Sequence, residues 1–244
     1  MFSKLVPLSK ESHKSLKVLP IKDFSFANKS HLLGLMASEF PMASAEYPVV
    51  FVEAEDGEFK PVAMLGVKPG ENLLLSDEGK WSARYIPAIL RRYPFALASG
   101  PNNDEFAVCI DEGSSVLSES EGESLFDDSG EPTKLLESAK NYLLELRKME
   151  LQTNAFCQLL KEHNLLAPLN LKIKEGEEVK SITGCFAINN ERFEKLSDEI
   201  FLTFRKRGYL PIVYAHLSSL RNIENLLKVR ANNIGNSNQD ENVH

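Results

Sequence analysis

The chain has 244 residues, of which 43% are hydrophobic and 26% are charged, and its formal net charge at pH 7 is -7. This composition is that of an ordinary globular protein and excludes global disorder. The excess of acidic over basic residues argues against binding to DNA, RNA or an anionic membrane surface. We therefore expect no nucleic-acid partner.

The compartment is predicted from the distribution of apolar residues. Ser3, Lys4 and Pro7 interrupt the N-terminal region before an apolar run reaches the length of a secretory signal core. The longest apolar stretches, such as residues 210–215, are much shorter than the roughly 18 to 20 residues that cross a bilayer. We expect a cytoplasmic protein without a membrane span.

The metal-ligating residue types are scattered along the chain. Cys109, Cys157 and Cys185 include no CxxC pair, which favours buried structural thiols over a disulfide framework or a zinc site. The five histidines include no HxxxH or HExxH pair. Walker A and GxGxxG motifs are also absent from the sequence, so we expect neither a metal nor a cofactor.

From residue 47 to about residue 110, short β-rich runs alternate with turn sequences. The first two runs flank Asp56 and Gly57, a pair that supplies the positive φ angles of a tight hairpin. A second reversal surrounds Gly79, and the polar residues 100–104 join a third pair of runs. The region therefore predicts an antiparallel sheet.

Two segments in and after this region have a different pattern. Residues 82–93 predict a short helix, although Pro87 allows only a first-turn start or a kink at that point. Residues 111–131 are rich in Ser, Glu, Asp and Gly, which predicts a mobile or loosely packed loop and an internal boundary.

The clearest periodic pattern lies between residues 133 and 163. Apolar residues recur there at three- and four-residue spacing, and Thr133 stands in the position of an N-cap. We predict one long amphipathic helix whose apolar stripe belongs to the core.

The C-terminal third predicts a hairpin and then helices around one strand. The hairpin turns near Glu175 and Gly176. A helix follows from Asn189 or Asn190 to Arg207, where Gly208 stops it.

The segment after that helix is strongly apolar. Residues 209–217 predict a buried strand, and Ser218 or Ser219 could cap a last helix. From Ala231 onward the polar, Asn-rich sequence predicts a disordered tail.

These elements predict an α+β fold, mainly an antiparallel sheet with helices packed on it. We expect a single domain over residues 1–230, which could consist of a β-rich half (1–110) and a helix-rich half (132–230) joined by the 111–131 loop. Residues 231–244 would form the tail.

Functional residue types are concentrated between Trp81 and Phe95, where three arginines and four aromatic residues occur. In a helix, Arg84 and Arg91 would lie near one face, where two guanidinium groups could hold a carboxylate or a phosphate beside a stacked aromatic ring. The candidate ligand-binding residues are Trp81, Arg84, Tyr85, Arg91 and Arg92. Alternatively, the arginines pair with carboxylates while the aromatic residues pack in the core.

Three titratable residues elsewhere could support catalysis. Glu39 and Glu46 precede the first predicted strand, where solvated turn residues are common. His216 lies close to two serines, but sequence proximity does not make a catalytic triad and the GxSxG motif is absent. We assign no catalytic residue.

Several segments together resemble the bacterial SapC-like family. They are PVVF, GENLLL, W-x-x-x-Y-x-P-A-x-x-R-R-Y-P-F, SLFDDSGEPT and IVYAHLSSLRNIENL, and the similarity extends from about Phe2 to Leu227. The family is the surface-layer-associated one; the peptide-transport permease of the same name is unrelated. Genes of this family tend to lie beside those of TonB-dependent receptors and flavin-dependent halogenase-like proteins.

The resemblance implies an accessory binding or regulatory protein linked to outer-membrane nutrient uptake or surface assembly. Its partner would be a small anionic ligand, a peptide or another protein. The alternatives are an enzyme or enzyme partner that modifies a small molecule or peptide, and a surface-layer-associated structural protein.

Overall fold

The computed structural model describes residues 1–99, 106–175 and 178–240. The strands in these ranges are β1 Leu5–Pro7, β2 Lys17–Val18, β3 Leu32–Gly34, β4 Val49–Glu53, β5 Phe59–Met64, β6 Phe95–Ser99, β7 Phe106–Asp111, β8 Leu117–Ser118, β9 Glu123–Ser124, β10 Leu166–Glu175 and β11 Glu178–Ile188. The α-helices are α1 Lys10–His13, α2 Phe40–Ala43, α3 Ala88–Arg91, α4 Lys134–Glu162, α5 Asn190–Glu194, α6 Asp198–Lys206, α7 Leu210–Ser219 and α8 Asn222–Asp240. This architecture confirms the α+β prediction.

The largest sheet has the strand order β10-β11-β4-β5-β3, and every pairing in it is antiparallel. The predicted hairpin joins β4 to β5 and turns at Gly57, whose φ is 75°. The predicted hairpin of β10 and β11 is also present, although Gly176 in its turn lies outside the described residues. Phe186 of β11 pairs with Phe51 of β4, so this one sheet contains strands from both predicted halves.

Helix α4 confirms the long-helix prediction almost to the residue. Its buried side chains include Phe156 and Leu160, which contact the large sheet, and Leu143 and Leu146, which contact a smaller one. Thr133 occupies the N-cap position, but its hydroxyl donates to the carbonyls of residues 124 and 125 instead of accepting a bond from the helix. The helix therefore connects two apolar clusters.

The smaller sheet has the order β1-β7-β6, and the predicted pairing of β6 with β7 is confirmed. Phe95 and Ile110 are paired in its register and are both buried against α4. The apolar faces of this sheet and of α4 thus pack together.

The predicted strand at residues 209–217 is wrong, because this segment belongs to helix α7. Pro211 stands in the first turn, where a missing N–H costs nothing. His216 and Ser219 are both fully buried and are three residues apart, as on one helix face. A short, wholly apolar run does not distinguish a buried strand from a buried helix. Ser219 accordingly ends α7 and does not cap the last helix.

The segment of residues 82–93 is helical only in its final part, so the predicted helix is largely wrong. Helix α3 begins at Ala88, after Pro87 with an extended ψ of 142°. The preceding residues 82–87 are not helical, and the carboxylate of Glu46 accepts the N–H groups of Arg84 and Tyr85 in this stretch.

The prediction of a loosely packed loop at residues 111–131 is also wrong. Its strands β8 and β9 both pair with β2. Leu125 is fully buried, and Val116 and Phe126 are at most 9% exposed. A few well-spaced apolar residues are therefore enough to order a segment whose overall composition is polar.

The predicted helix from Asn189 to Arg207 is divided into α5 and α6. Asn189 caps α5 by accepting the N–H of Arg192, and Gly208 follows α6 with a φ of 72°, as predicted. Helix α8 runs to Asp240, whereas the sequence predicted disorder from residue 231 onward. Within the three described ranges, no helix is both long enough and apolar enough to span a membrane.

Candidate functional site

Glu39 organises the first part of the Trp81–Phe95 segment. Its side chain is only 3% exposed, and it accepts hydrogen bonds from the N–H of Met36 (2.8 Å), the N–H of Ala88 (2.7 Å) and the hydroxyl of Tyr85 (2.6 Å). Burial raises the pKa of Tyr85, and its hydrogen bond to Glu39 raises it further. The carboxylate therefore fixes the Tyr85 ring and the start of α3 together.

Tyr47 performs a similar function beneath Trp81. Its hydroxyl donates to the carbonyl of Tyr85 and accepts from the indole N–H of Trp81 at 3.0 Å, and the Tyr47 side chain is fully buried. The Trp81 ring lies 5.9 Å from that of Phe24. Trp81 and Tyr85 are thus held by packing and hydrogen bonds, as the structural alternative predicted.

The three arginines do not follow that alternative. The Arg84 side chain is exposed, and the guanidinium of Arg91 lies over the rings of Tyr85 (5.9 Å) and Tyr142 (5.8 Å). The guanidinium of Arg92 lies 5.2 Å from the centre of the Phe2 ring. Among the residues the structure describes, no carboxylate forms an ion pair with Arg84, Arg91 or Arg92.

Arg92 is the most unusual of the three. Its side chain is partly buried, and burial lowers the pKa of its guanidinium. Its Nε atom is inaccessible to solvent and has no hydrogen-bond partner in the described part of the chain. A buried polar atom without a hydrogen bond is unfavourable and calls for a specific explanation, of which a bound ligand is one.

Arg92 lines a cavity of about 360 Å³ between α4 and the β6–β7 pair. The apolar side chains of the lining are those of Met36, Ile89, Leu97, Phe106, Leu143 and Leu146. Its charged side chains are those of Arg92, Arg147 and Glu150, and the last two form an ion pair at 2.8 Å. The described lining thus combines an apolar wall with a net charge of one positive unit.

The structure does not bring the three candidate catalytic residues to this cavity. Glu39, Glu46 and His216 are absent from its lining. His216 is fully buried, accepts the N–H of Ile188 at 3.0 Å and has its pKa lowered to about 4 by burial. Ser219 donates to the carbonyl of His216 and accepts the N–H of Val49, so its hydroxyl has a structural role.

Sequence analysis identified Arg92 but missed the other residues of the cavity. Arg147 and Glu150 follow Leu143 and Leu146 on one face of α4, and this helical spacing was visible in the sequence. The approach of Leu97 and Phe106 to that face depends on tertiary packing and had no local signal.

Two further predictions concern metals and thiols. The described residues contain no group of three or more His, Cys, Asp or Glu side chains that could hold a metal ion. Cys109, Cys157 and Cys185 are free and buried, as the sequence predicted. Burial raises the pKa of Cys157 to about 12, so its thiol stays protonated at neutral pH.

The fold defines a mixed α+β protein in which antiparallel sheets pack against helices. The model of the SapC family matches residues 8–226, and the chain therefore belongs to the SapC family. This match confirms the resemblance and covers nearly the same range. The comparisons found no similar curated protein and no similar solved structure.

Proposed function

We propose that this SapC-family protein is an accessory binding protein and that Arg92 receives an anionic group of its ligand, a small anion or a peptide. One observation carries the proposal. Arg92 is a partly buried guanidinium that forms no ion pair among the described residues, has an Nε atom without a hydrogen-bond partner there, and lines a cavity of about 360 Å³. This volume lies within the range of small-molecule sites, about 300 to 1,000 Å³.

The electrostatics of the cavity support an anionic ligand. Glu150 forms an ion pair with Arg147 and also interacts electrostatically with Arg92, so one carboxylate faces two guanidinium groups and the described lining keeps one excess positive charge. A carboxylate or phosphate at Arg92 would offset the cost of keeping this cation away from water. Guanidinium groups bind such anions through two parallel hydrogen bonds, which also fixes the orientation of the ligand.

The remaining predicted site residues have different parts in this proposal. Trp81 and Tyr85 do not line the Arg92 cavity and are held in place by Tyr47 and Glu39. Arg84 is exposed and does not line the Arg92 cavity. Arg91 lines a neighbouring cavity of about 250 Å³ that also contacts Arg92, so it could add to the positive potential at the site.

The cellular role that we propose follows the family resemblance. It is a cytoplasmic accessory function in outer-membrane nutrient uptake or surface assembly, in which the protein would sense or carry its ligand. The enzyme alternative requires a titratable group beside the bound ligand. Glu39, Glu46 and His216, the residues considered for that task, are bonded to backbone groups elsewhere.

A thermal-shift screen tests the proposal. Wild-type protein is heated with amino acids, short peptides, sugar phosphates and organic acids, and each compound that raises the melting temperature is repeated on Arg92→Met. We expect the shift to disappear in Arg92→Met and to persist in Arg84→Met, a matched control at an exposed arginine. A shift that survives in Arg92→Met, or the absence of any shift in wild type, would contradict the proposal.

A further inference from the structure

We infer that the ligand of the Arg92 cavity is a monocarboxylate with an apolar body, such as a medium-chain alkanoate. The inference rests on the proposed function, because it assumes that Arg92 binds an anion. Beyond the proposed function, the inference specifies the charge of the anion and the chemical nature of the group attached to it. Both follow from the side chains that line the cavity.

The lining favours one negative charge over two. In the described lining, Arg92 and Arg147 contribute two positive charges and Glu150 contributes one negative charge, so a single carboxylate brings this part of the site to neutrality. A phosphate monoester at neutral pH would leave an excess negative charge close to the Glu150 carboxylate. Like charges at short range in a partly buried site are unfavourable.

The rest of the lining favours an apolar body. Among the described residues, the uncharged side chains that line the cavity are all apolar, and none of them carries a hydroxyl or an amide group. A sugar or another polyol would therefore lose its hydrogen bonds to water without gaining bonds to these side chains. An alkyl or aryl group has no such cost and gains the free energy of apolar burial.

The apolar wall is also largely preformed. Leu143 and Leu146 are 2% and 5% exposed and belong to the cluster that packs α4 on the small sheet. Phe106 is 38% exposed and lies 5.8 Å from the Arg147 guanidinium. A ligand would therefore meet a fixed inner wall at the two leucines and a more exposed side chain at Phe106.

Isothermal titration of the full-length protein with a series of alkanoates, from butanoate to decanoate, tests the inference. We expect affinity to rise about fourfold with each added methylene until the cavity is filled, because each buried CH2 is worth about 0.8 kcal/mol. Octyl phosphate is expected to bind more weakly than nonanoate, which has a similar length. Affinity that does not depend on chain length, or a preference for the phosphate, would overturn the inference.

The variant Glu150→Gln sharpens the test of charge. Without this carboxylate the lining has a net charge of two positive units, so octyl phosphate should gain at least several-fold relative to nonanoate. Glu145→Gln is the matched control, because Glu145 is exposed, lies on the same helix and is not part of the lining. An unchanged ratio in Glu150→Gln would contradict the charge argument.

The outcomes separate the inference from the proposed function. If polar anions such as sugar phosphates bind in an Arg92-dependent way while alkanoates do not, the inference fails and the anion-binding function stands. If no anion of either type binds, both fail. Chain-length-dependent binding that is lost in Arg92→Met supports both.

Discussion

The two parts of the Trp81–Phe95 segment use similar residues in opposite ways. From Trp81 to Ala88, hydrogen bonds fix the aromatic rings and the backbone, and the carboxylates of Glu39 and Glu46 accept four of them. In the part that follows, Arg92 has no carboxylate partner in the described residues and lines a cavity. The polar groups of the first half of this motif are thus held by hydrogen bonds, whereas the second half contains a polar atom, the Nε of Arg92, that has no partner among the described residues.

This contrast separates residues that build the site from residues that would use it. A buried polar group that is fully hydrogen-bonded contributes to a unique structure, whereas one without a partner lowers stability. Functional sites commonly accept such a cost. The contrast therefore predicts large stability losses in the first half of the motif and little or none at Arg92.

The largest effect is expected for Glu39→Ala. Removing this carboxylate leaves the donors of Met36, Tyr85 and Ala88 without their acceptor, and each unsatisfied buried donor costs about 1 to 3 kcal/mol. We expect a loss of about 4 kcal/mol in the free energy of unfolding, measured with urea. The exposed Glu55→Ala should change it by less than about 0.5 kcal/mol. Equal effects of the two substitutions would show that the hydrogen bonds to Glu39 do not stabilise the first half of the motif.

His216 provides the next test, because its ring nitrogen Nδ1 also lacks a partner in the described residues. Burial lowers the pKa of His216 from 6.5 to about 4. Between these two values the unfolded chain binds a proton that the folded protein does not, so stability decreases as the pH falls from 6.5 towards 4. The full difference corresponds to roughly 3 kcal/mol.

Urea denaturation at several pH values between 4 and 7 measures this dependence. The matched variant is His216→Gln, which retains a side-chain acceptor for the N–H of Ile188 but does not titrate. Its stability should depend less on pH than that of the wild type over this range. Parallel pH profiles of the two proteins would mean that His216 is readily protonated in the folded state.

The smallest effect on stability is expected for Arg92→Met. The substitution removes a partly buried cation that forms no ion pair among the described residues and keeps an apolar side chain of similar length. We expect the free energy of unfolding to stay within about 0.5 kcal/mol of the wild-type value, since losing contact with the Phe2 ring offsets the relief of desolvation. A loss of about 2 kcal/mol or more would indicate a structural role for Arg92.

Local sequence patterns correctly predicted the elements with a long apolar periodicity or with turn residues between two β-rich runs. Helix α4 and the hairpins were predicted because their periodicity and their turn residues belong to the elements themselves. The segments of residues 82–87 and 111–131 were not, since Glu46 and β2, which are distant in the sequence, determine their conformation. Helix α7 was missed because its exposed face includes apolar residues such as Tyr214, which is 50% exposed, so the sequence shows no informative period.

The candidate site was predictable only in part, because some of its residues have a local sequence pattern and others are brought together by tertiary packing. The cluster of arginine and aromatic residues drew attention to Arg92, but nothing local showed that it alone of the three would line the cavity with Arg147 and Glu150. Carboxylates were expected to pair with the arginines of this motif. Instead, Glu39 and Glu46 accept hydrogen bonds from its backbone and from the hydroxyl of Tyr85. These contacts depend on the tertiary fold, because the partners are far apart in the sequence.

The pairing of β4 with β11 has a consequence for the newly synthesised chain. Phe51 emerges from the ribosome long before its partner Phe186, and at usual rates of translation the interval is on the order of 10 s. Throughout that time β4 presents an unpaired edge of apolar residues to the solvent, and such edges can pair with other chains. Nascent chains of this protein are therefore expected to need protection by a chaperone until β11 has been made.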